Sequence, residues 1–212
     1  MNRTPLAQVQ ALFAGTPVIP VLTIERAVDA VPLASALVAG GLRVLEVTLR
    51  TEAALDALAQ IASTLPEAIV GVGSVIEEGQ FAAVARCGAR FAVSPGSTDG
   101  LEAAAAVASV PWIPGVQSVS EVLKLRSRAY RFMKLYPAAA GGVEFLRGIR
   151  GPVPDVCFCP TGGVTAANAR SYLELPNVAC VGGSWPAPPE LIERRDWEGI
   201  RKLAMQARAL RP

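Results

Sequence analysis

Residues 18–50 read VIPVLTIERAVDAVPLASALVAGGLRVLEVTLR. This stretch contains a short apolar run rich in β-branched residues, a longer segment rich in Ala and Leu, and a second short apolar run. The same alternation continues along the chain, and it predicts βα units around a parallel sheet. The apolar runs begin near Val18, Val44, Ala68, Phe91, Pro111, Tyr130, Asp155 and Val178.

The spacing of these eight runs is regular. Val18 and Val178 lie 160 residues apart, so one βα unit takes about 23 residues on average. Such even spacing predicts an α/β fold in the form of a closed (β/α)8 TIM barrel, built as a single domain over residues 1–212. An open doubly wound sheet is the alternative. It fits less well because no GxGxxG motif follows the first run.

Helix signals lie between the apolar runs. Ser118 and Glu121 have the spacing of a capping box, and Gly88 stands where a helix should end. Residues 4–13 are predicted to form an extra N-terminal helix over one end of the barrel. Residues 196–210 are predicted to form the last outer helix.

Composition excludes several classes of function. The chain of 212 residues has 20 Lys plus Arg against 18 Asp plus Glu. A net charge of +2 provides no field that would favour nucleic-acid or membrane partners. Because histidine is absent, Ser-His-Asp and Cys-His catalysis and the usual His-ligated zinc or iron sites are excluded. We therefore expect a small-molecule partner and chemistry that uses other side chains.

Cysteine spacing and hydropathy bear on the cell compartment. The four cysteines form no CxxC pair and no cluster with zinc spacing, so we expect them to be reduced core residues. The sequence also shows no signal-peptide core and no run of eighteen apolar residues. A cytoplasmic location is the resulting expectation.

The second apolar run places charged residues on one face. Alternate residues of a barrel strand face the interior, and Glu46 and Arg50 share one face of residues 44–50. A buried structural Glu–Arg pair is one interpretation, and an Arg50 that leaves the interior for the loop is another. Because burying a charge costs several kcal/mol, a functional role is favoured over both.

The sixth apolar run contains a charge of the opposite sign. Lys124 and Lys202 fall on predicted helices, so Lys134 is the single lysine within an apolar run. It could be a lysine whose ammonium reaches solvent, or a partner for Glu46. The functional interpretation is a Schiff-base nucleophile, since an apolar setting favours the neutral amine.

Two glycine-rich ends follow the seventh and eighth runs. They are Pro160-Thr161-Gly162-Gly163 and Gly182-Gly183-Ser184. Barrel enzymes bind phosphate at these two places, where backbone N–H groups are available to an anion. The glycines could also serve only to allow tight turns. At the end of the third run, Ser74 has the same parity as Val70 and Val72, and it is expected to donate a hydrogen bond inward.

These residues together resemble a known family. Over residues 18–185 the chain is similar to the class I 2-keto-3-deoxy-6-phosphogluconate (KDPG) aldolases, which share their family with 4-hydroxy-2-oxoglutarate (KHG) aldolases. The motifs that carry the resemblance are VIPVL, GGLRVLEVTLRT, GVGSV, AVSPG, MKLYPA, FCPTGGV and VGGSW. The resemblance implies a (β/α)8 barrel, typically a homotrimer, that cleaves a phosphorylated keto acid to pyruvate and glyceraldehyde 3-phosphate in the Entner-Doudoroff route. It implies neither metal nor cofactor.

The resemblance also implies roles for individual residues. Lys134 would form the Schiff base, Glu46 would act as general acid and base, and Arg50 would hold the pyruvyl carboxylate. The other substrate-binding residues that it implies are Ser74, Pro95, Thr161, Gly162, Gly163 and Ser184. The chain departs from the family at Ser74, where many members have Thr, and at Leu135-Tyr136, where Phe-Phe is common.

Two other functions remain open from the sequence. One is cleavage of unphosphorylated 4-hydroxy-2-oxoglutarate to pyruvate and glyoxylate by the same lysine. The other is a non-catalytic phosphosugar-binding barrel, which would bind its ligand without a covalent adduct.

Overall fold

A computed structural model describes the backbone of residues 6–210 and the side chains of Val9 and residues 11–210. The chain has an α/β fold in which all paired strands are parallel. Each of the eight apolar runs contains a strand. The strands are β1 (Val18–Leu22), β2 (Val44–Thr48), β3 (Ile69–Gly73), β4 (Ala92–Val93), β5 (Trp112–Ile113), β6 (Gly115–Val116), β7 (Phe132–Leu135), β8 (Cys157–Pro160) and β9 (Val181–Gly183).

Helices alternate with these strands. The helices are α1 (Leu6–Phe13), α2 (Ala30–Ala39), α3 (Ala54–Thr64), α4 (Gln80–Arg86), α5 (Asp99–Val107), α6 (Val119–Ser127), α7 (Gly142–Arg150), α8 (Ala169–Leu173), α9 (Pro189–Glu193) and α10 (Trp197–Arg208). A 3₁₀ turn, Ala27–Asp29, precedes α2. Within residues 6–210, no helix is long and apolar enough to cross a membrane.

The fifth apolar run is divided into two short strands. Pro114 stands between β5 and β6, and proline has no N–H to donate to a ladder. Its carbonyl still accepts from the Lys134 amide at 2.9 Å. The sixth, seventh and eighth runs of the sequence therefore correspond to β7, β8 and β9.

The strands form two curled sheets. One has the order β5-β4-β3-β2-β1-β9 and the other has the order β6-β7-β8. Two isolated bridges, Phe158 to Val178 and Thr161 to Gly182, connect the region of β8 with that of β9. The carboxyl ends of β1, β2, β7, β8 and β9 consequently lie near one another.

Two apolar clusters lie on opposite faces of the strands. The larger cluster packs the helices against residues such as Leu45, Val47 and Met133. The smaller cluster lies on the other face and includes Val44 and Phe132. The alternation expected for β2 and β7 is therefore confirmed, because the neighbours of Glu46 and Lys134 in sequence belong to the larger cluster.

Helix α1 contacts the smaller cluster through Val9, Leu12 and Phe13. The Phe13 ring stacks on Phe132 with 5.2 Å between ring centroids, and it meets Phe91 edge-on at 5.1 Å. The expected helix over residues 4–13 included Thr4 and Pro5, which lie outside the described residues. The described part of this helix begins at Leu6 and ends at Phe13.

The capping box predicted at α6 is present. The Ser118 hydroxyl accepts from the Glu121 amide at 3.3 Å, and Glu121 Oε2 accepts from the Ser118 amide at 2.8 Å. Burial opposes ionisation, but donors on Gln117 and Ser118 hold the pKa of Glu121 below its ordinary value. This contribution to stability is therefore present above the ordinary glutamate pKa, and it is lost as the pH falls through the lower folded value.

We expect Ser118→Ala to lower the free energy of unfolding by about 1 kcal/mol, because one helix N–H loses its partner. Urea denaturation at neutral pH measures the change. Ser120→Ala, an exposed position in the first turn of the same helix, is the matched control and should not lower stability. Equal unfolding midpoints for the two variants would show that the cap contributes nothing.

Candidate active site

Lys134 and Glu46 form a buried ion pair at the centre of the strands. The Lys134 Nζ atom lies 3.0 Å from Glu46 Oε1, and the two side chains are 6% and 4% exposed. They come from β7 and β2, which belong to different sheets. The sequence left open whether Lys134 pairs with Glu46, and the structure shows that it does. The other two lysines differ: Lys124 and Lys202 pair with exposed carboxylates at the surface.

The neighbouring strand leaves room for the Glu46 carboxylate. A Cβ atom on Gly73, in β3, would overlap with Glu46 Oε1. A residue without a Cβ is therefore needed at position 73 for this position of the Glu46 side chain. Gly71 makes similar room for the Phe91 ring on the same face.

The thiols of Cys159 and Cys180 lie near the Lys134–Glu46 ion pair. Cys159 lines a small space together with Glu46 and Lys134. A hydrogen bond to Cys159 and complete burial raise the pKa of the Cys180 thiol well above its ordinary value. Cys180 therefore remains a neutral packing residue, as expected for the interior cysteines.

A cleft of about 310 Å³ opens above Lys134. Among the residues that the structure describes, the charged side chains in its wall are Arg50 and Lys134, and both are cationic. Such a wall suits an anionic ligand. The other lining residues are Val21, Thr23, Tyr136, Thr161, Gly162, Gly163, Val164, Gly183, Ser184, Ala187, Pro189 and Ile192.

Arg50 reaches the cleft from a turn, not from a strand. Strand β2 ends at Thr48, and Arg50 is exposed. Its Nε donates to the Ser74 hydroxyl at 3.1 Å. Within the described part of the chain, no carboxylate pairs with this guanidinium, so its other nitrogens remain available. The expectation that Arg50 points inward from the strand is wrong in detail, but the side chain still lines the cleft.

Ser74 does not point inward by the parity of β3. Val70 and Val72 pack in the larger cluster against the helices, so their face of β3 is the outer one. Ser74 follows the strand with φ +60°, a left-handed conformation that redirects its side chain. The expectation based on parity is therefore wrong. The Ser74 hydroxyl instead accepts a hydrogen bond from Arg50, and its own O–H group can donate to another acceptor.

The two glycine-rich ends meet at the far side of the cleft. Gly162, Gly163 and Ser184 all line it, and Thr161 lies beside Gly182. Among the described residues, the amides of Gly162, Gly163 and Ser184 donate to no backbone carbonyl. Gly162 and Gly163 have φ values of +87° and +80°, which glycine adopts at little cost. These free amides and the exposed Ser184 hydroxyl can receive an anion.

Pro95 lies outside the cleft wall, just after β4. It follows β4 and packs so closely on Gly115 that a Cβ there would overlap with the Pro95 carbonyl. Neither Pro95, Ser74 nor Glu46 is part of the cleft wall in the described structure. Lys134 connects Glu46 to the cleft, and Arg50 connects Ser74 to it.

Sequence reasoning assigned no site role to two polar residues of the cleft wall, Thr23 and Tyr136. Thr23, at the end of the first run, bonds the Thr48 hydroxyl at 3.3 Å, and Tyr136 lies two residues beyond Lys134. Lys134 Nζ lies over the Tyr136 ring at 5.5 Å from its centroid. Both residues directly follow a strand. This position could have identified them, because ligands of parallel α/β folds bind at the carboxyl ends of strands.

The comparison with protein families decides the relationship. Residues 9–203 match the family model for KDPG and KHG aldolase. The chain belongs to the KDPG and KHG aldolase family. This agrees with the resemblance found in the sequence, and the matched residues include all nine site residues that the resemblance implied.

Individual members of the KDPG and KHG aldolase family are similar over most of the chain. The 2-dehydro-3-deoxy-phosphogluconate aldolase of Pseudoalteromonas atlantica is 50% identical over 93% of both chains. The KHG/KDPG aldolase of Escherichia coli is 48% identical, also over 93% of both. A crystal structure of Legionella pneumophila KDPG aldolase holds pyruvate captured at low pH as a covalent carbinolamine intermediate. It is 51% identical to this chain and has a TM-score of 0.90. The match covers 92% of this chain and 96% of the Legionella chain.

Proposed function

We propose that this protein is a class I aldolase that cleaves 2-keto-3-deoxy-6-phosphogluconate to pyruvate and glyceraldehyde 3-phosphate. The observation that carries the proposal is the buried Lys134–Glu46 pair at the base of a cleft whose charged wall residues are cationic. Family membership and the covalent pyruvate of the Legionella relative support the same chemistry.

Lys134 is the proposed nucleophile. Its neutral amine attacks the C2 carbonyl to form a carbinolamine, and loss of water gives an iminium. The iminium accepts the electron pair of the C3–C4 bond as that bond breaks, which releases the aldehyde and leaves an enamine. Protonation at C3 and hydrolysis then release pyruvate and restore the amine. Because the lysine itself supplies the electron sink, the cycle needs no cofactor or metal.

Glu46 is the proposed proton carrier. At 3.0 Å from Lys134 Nζ, it can take the proton that the ammonium must lose before attack. It can then return a proton to the departing carbinolamine hydroxyl. It can also accept the C4 hydroxyl proton during cleavage, directly or through water.

Arg50 and Ser74 are proposed to hold the substrate carboxylate. The Ser74 hydroxyl accepts a hydrogen bond from Arg50 Nε, and this bond fixes the plane of the guanidinium. The terminal nitrogens then offer a planar donor fork that suits a carboxylate. Pro95 would limit the pyruvyl end from the neighbouring strand.

The opposite end of the cleft is the proposed phosphate site. Its donors are the amides of Gly162 and Gly163 and the amide and hydroxyl of Ser184. Thr161 would contact the carbon chain between the two ends, since it lines the cleft beside Gly162.

Cleavage of 4-hydroxy-2-oxoglutarate is a second activity that the same residues can support. The Escherichia coli relative is named for both substrates. Measured kcat/KM values for the two keto acids, with pyruvate release as the readout, test the proposal. We expect cleavage of both and a preference for the phosphorylated substrate. A protein that binds the phosphorylated acid without cleaving it would instead be a non-catalytic phosphosugar-binding barrel.

Ser184→Ala should raise KM for the phosphorylated substrate about 10- to 100-fold, because a hydrogen bond from the hydroxyl to the charged phosphate is lost. KM for 4-hydroxy-2-oxoglutarate should stay unchanged. Gly163 is a poorer test, since φ +80° and the nearby Ala139 make any side chain there disruptive. Equal effects of Ser184→Ala on both substrates would remove Ser184 from the phosphate site.

We also propose the architecture that this mechanism uses. Strands β5 and β6 are consecutive around Pro114, and two bridges connect β8 with β9. These connections support one closed (β/α)8 barrel with α1 over its amino-terminal end, and one domain over residues 1–212. By family resemblance we expect a cytoplasmic homotrimer, and light scattering of the purified protein tests the trimer.

A further inference from the structure

Tyr136 occupies the middle of the cleft. It directly follows β7, is half-buried, and lines the same cavity as Lys134 and the glycine-rich turn. The Lys134 Nζ atom lies over the face of its ring, 5.5 Å from the centroid. This distance is within the range of a cation–π contact, which helps to fix the ring.

One edge of the ring lies against the turn of the proposed phosphate site. A Cβ atom on Gly162 would stand 2.8 Å from Tyr136 Cε2 and 3.0 Å from Cδ2. The ring therefore lies close both to the amine that bonds substrate C2 and to the turn that would bind the phosphate on C6. The substrate carbons between these ends are C3, C4 and C5, and the last two bear hydroxyl groups.

The phenol hydroxyl is available to a ligand. In the part of the chain that the structure describes, it makes no hydrogen bond to any protein group, whereas the Tyr172 hydroxyl donates to the Ala138 carbonyl at 3.0 Å. A ring fixed by Lys134 and Gly162 therefore presents one free donor and acceptor to the cleft.

We propose that Tyr136 is a specificity-determining residue whose hydroxyl bonds the C5 hydroxyl of the substrate, which is the 2-hydroxyl of the aldehyde product. Its chemical target is thus a phosphorylated 2-hydroxyaldehyde. This inference rests on the proposed aldolase function. It adds a contact for the hydroxylated carbon that neither the carboxylate site nor the phosphate site provides.

Aldol addition to two acceptors isolates this contact. Pyruvate is kept saturating, and the acceptors are glyceraldehyde 3-phosphate and 3-oxopropyl phosphate, which lacks the 2-hydroxyl. Tyr136→Phe keeps the ring and removes the hydroxyl. We expect kcat/KM for glyceraldehyde 3-phosphate to fall about 3- to 10-fold, while kcat/KM for the deoxy acceptor stays unchanged.

Tyr172→Phe is the matched control. It removes a structural phenol hydroxyl near the same turn, so any loss of folded protein affects the two acceptors equally. An equal change for both acceptors in Tyr136→Phe, or no change for either, overturns the inference. If the wild-type protein adds pyruvate to neither acceptor, the proposed aldolase function is overturned. Failure of the Tyr136 inference and failure of the proposed function are therefore distinguishable.

Discussion

Replacing Lys134 with Ala should reduce aldol cleavage to the uncatalysed background, a loss of at least about 10⁴-fold, because the electron sink disappears with the amine. Borohydride should no longer trap pyruvate on the chain. Pyruvate release measures the first effect and intact mass measures the second. No other change in the site should have a larger effect.

Two kinds of control make this loss interpretable. Lys124→Ala and Lys202→Ala remove the exposed lysines and should keep full activity. Breaking a buried ion pair costs about 3–5 kcal/mol, because the remaining charge is left unpaired. The double variant Lys134→Met with Glu46→Gln leaves no buried charge at this site, and it should fold but remain inactive. Full specific activity in folded Lys134→Ala protein would refute the mechanism.

Replacing Glu46 with Gln should separate adduct formation from turnover. The amide keeps the shape of the side chain but cannot carry a proton, so cleavage should fall about 10²- to 10⁴-fold. Lys134 should still trap pyruvate with borohydride, more slowly than in the wild type. Steady-state cleavage and the time course of trapping measure the two effects.

A purely structural Glu46 would give a different pattern. Stability would then fall, while the folded fraction would keep its specific activity for cleavage. Gly73→Ala offers an independent check, because its Cβ would displace the Glu46 carboxylate without changing either titratable side chain. It should reproduce the slow turnover of Glu46→Gln.

The strands and the central residues could be predicted because their signals are local. Period-two alternation in β2 and β7 identifies the faces of Glu46 and Lys134, since one shift of register would expose the apolar residues. The capping box of α6 is likewise encoded within four residues. Family resemblance supplied the role of Glu46. The Schiff-base interpretation of Lys134 came from its apolar setting, and the placement of both side chains on the interior face came from parity.

Other features depend on the backbone or on contacts between distant segments. Parity failed for Ser74 because a left-handed residue just after the strand redirects the side chain, and Ser carries no strong signal for positive φ. It failed for Arg50 because β2 ends two residues earlier, in a turn. The closeness of Tyr136 to Gly162 requires two separate chain segments, one after β7 and one after β8, to be placed in space.

Intact mass after incubation with pyruvate and borohydride tests the central claim most directly. The account predicts an increase of about 72 Da, which is pyruvate less water plus two hydrogen atoms. Peptide mapping should place the increase on Lys134, because the chain has only two other lysines. An unchanged mass, or a modification on Lys124 or Lys202 that persists in Lys134→Ala protein, would contradict Schiff-base catalysis by Lys134.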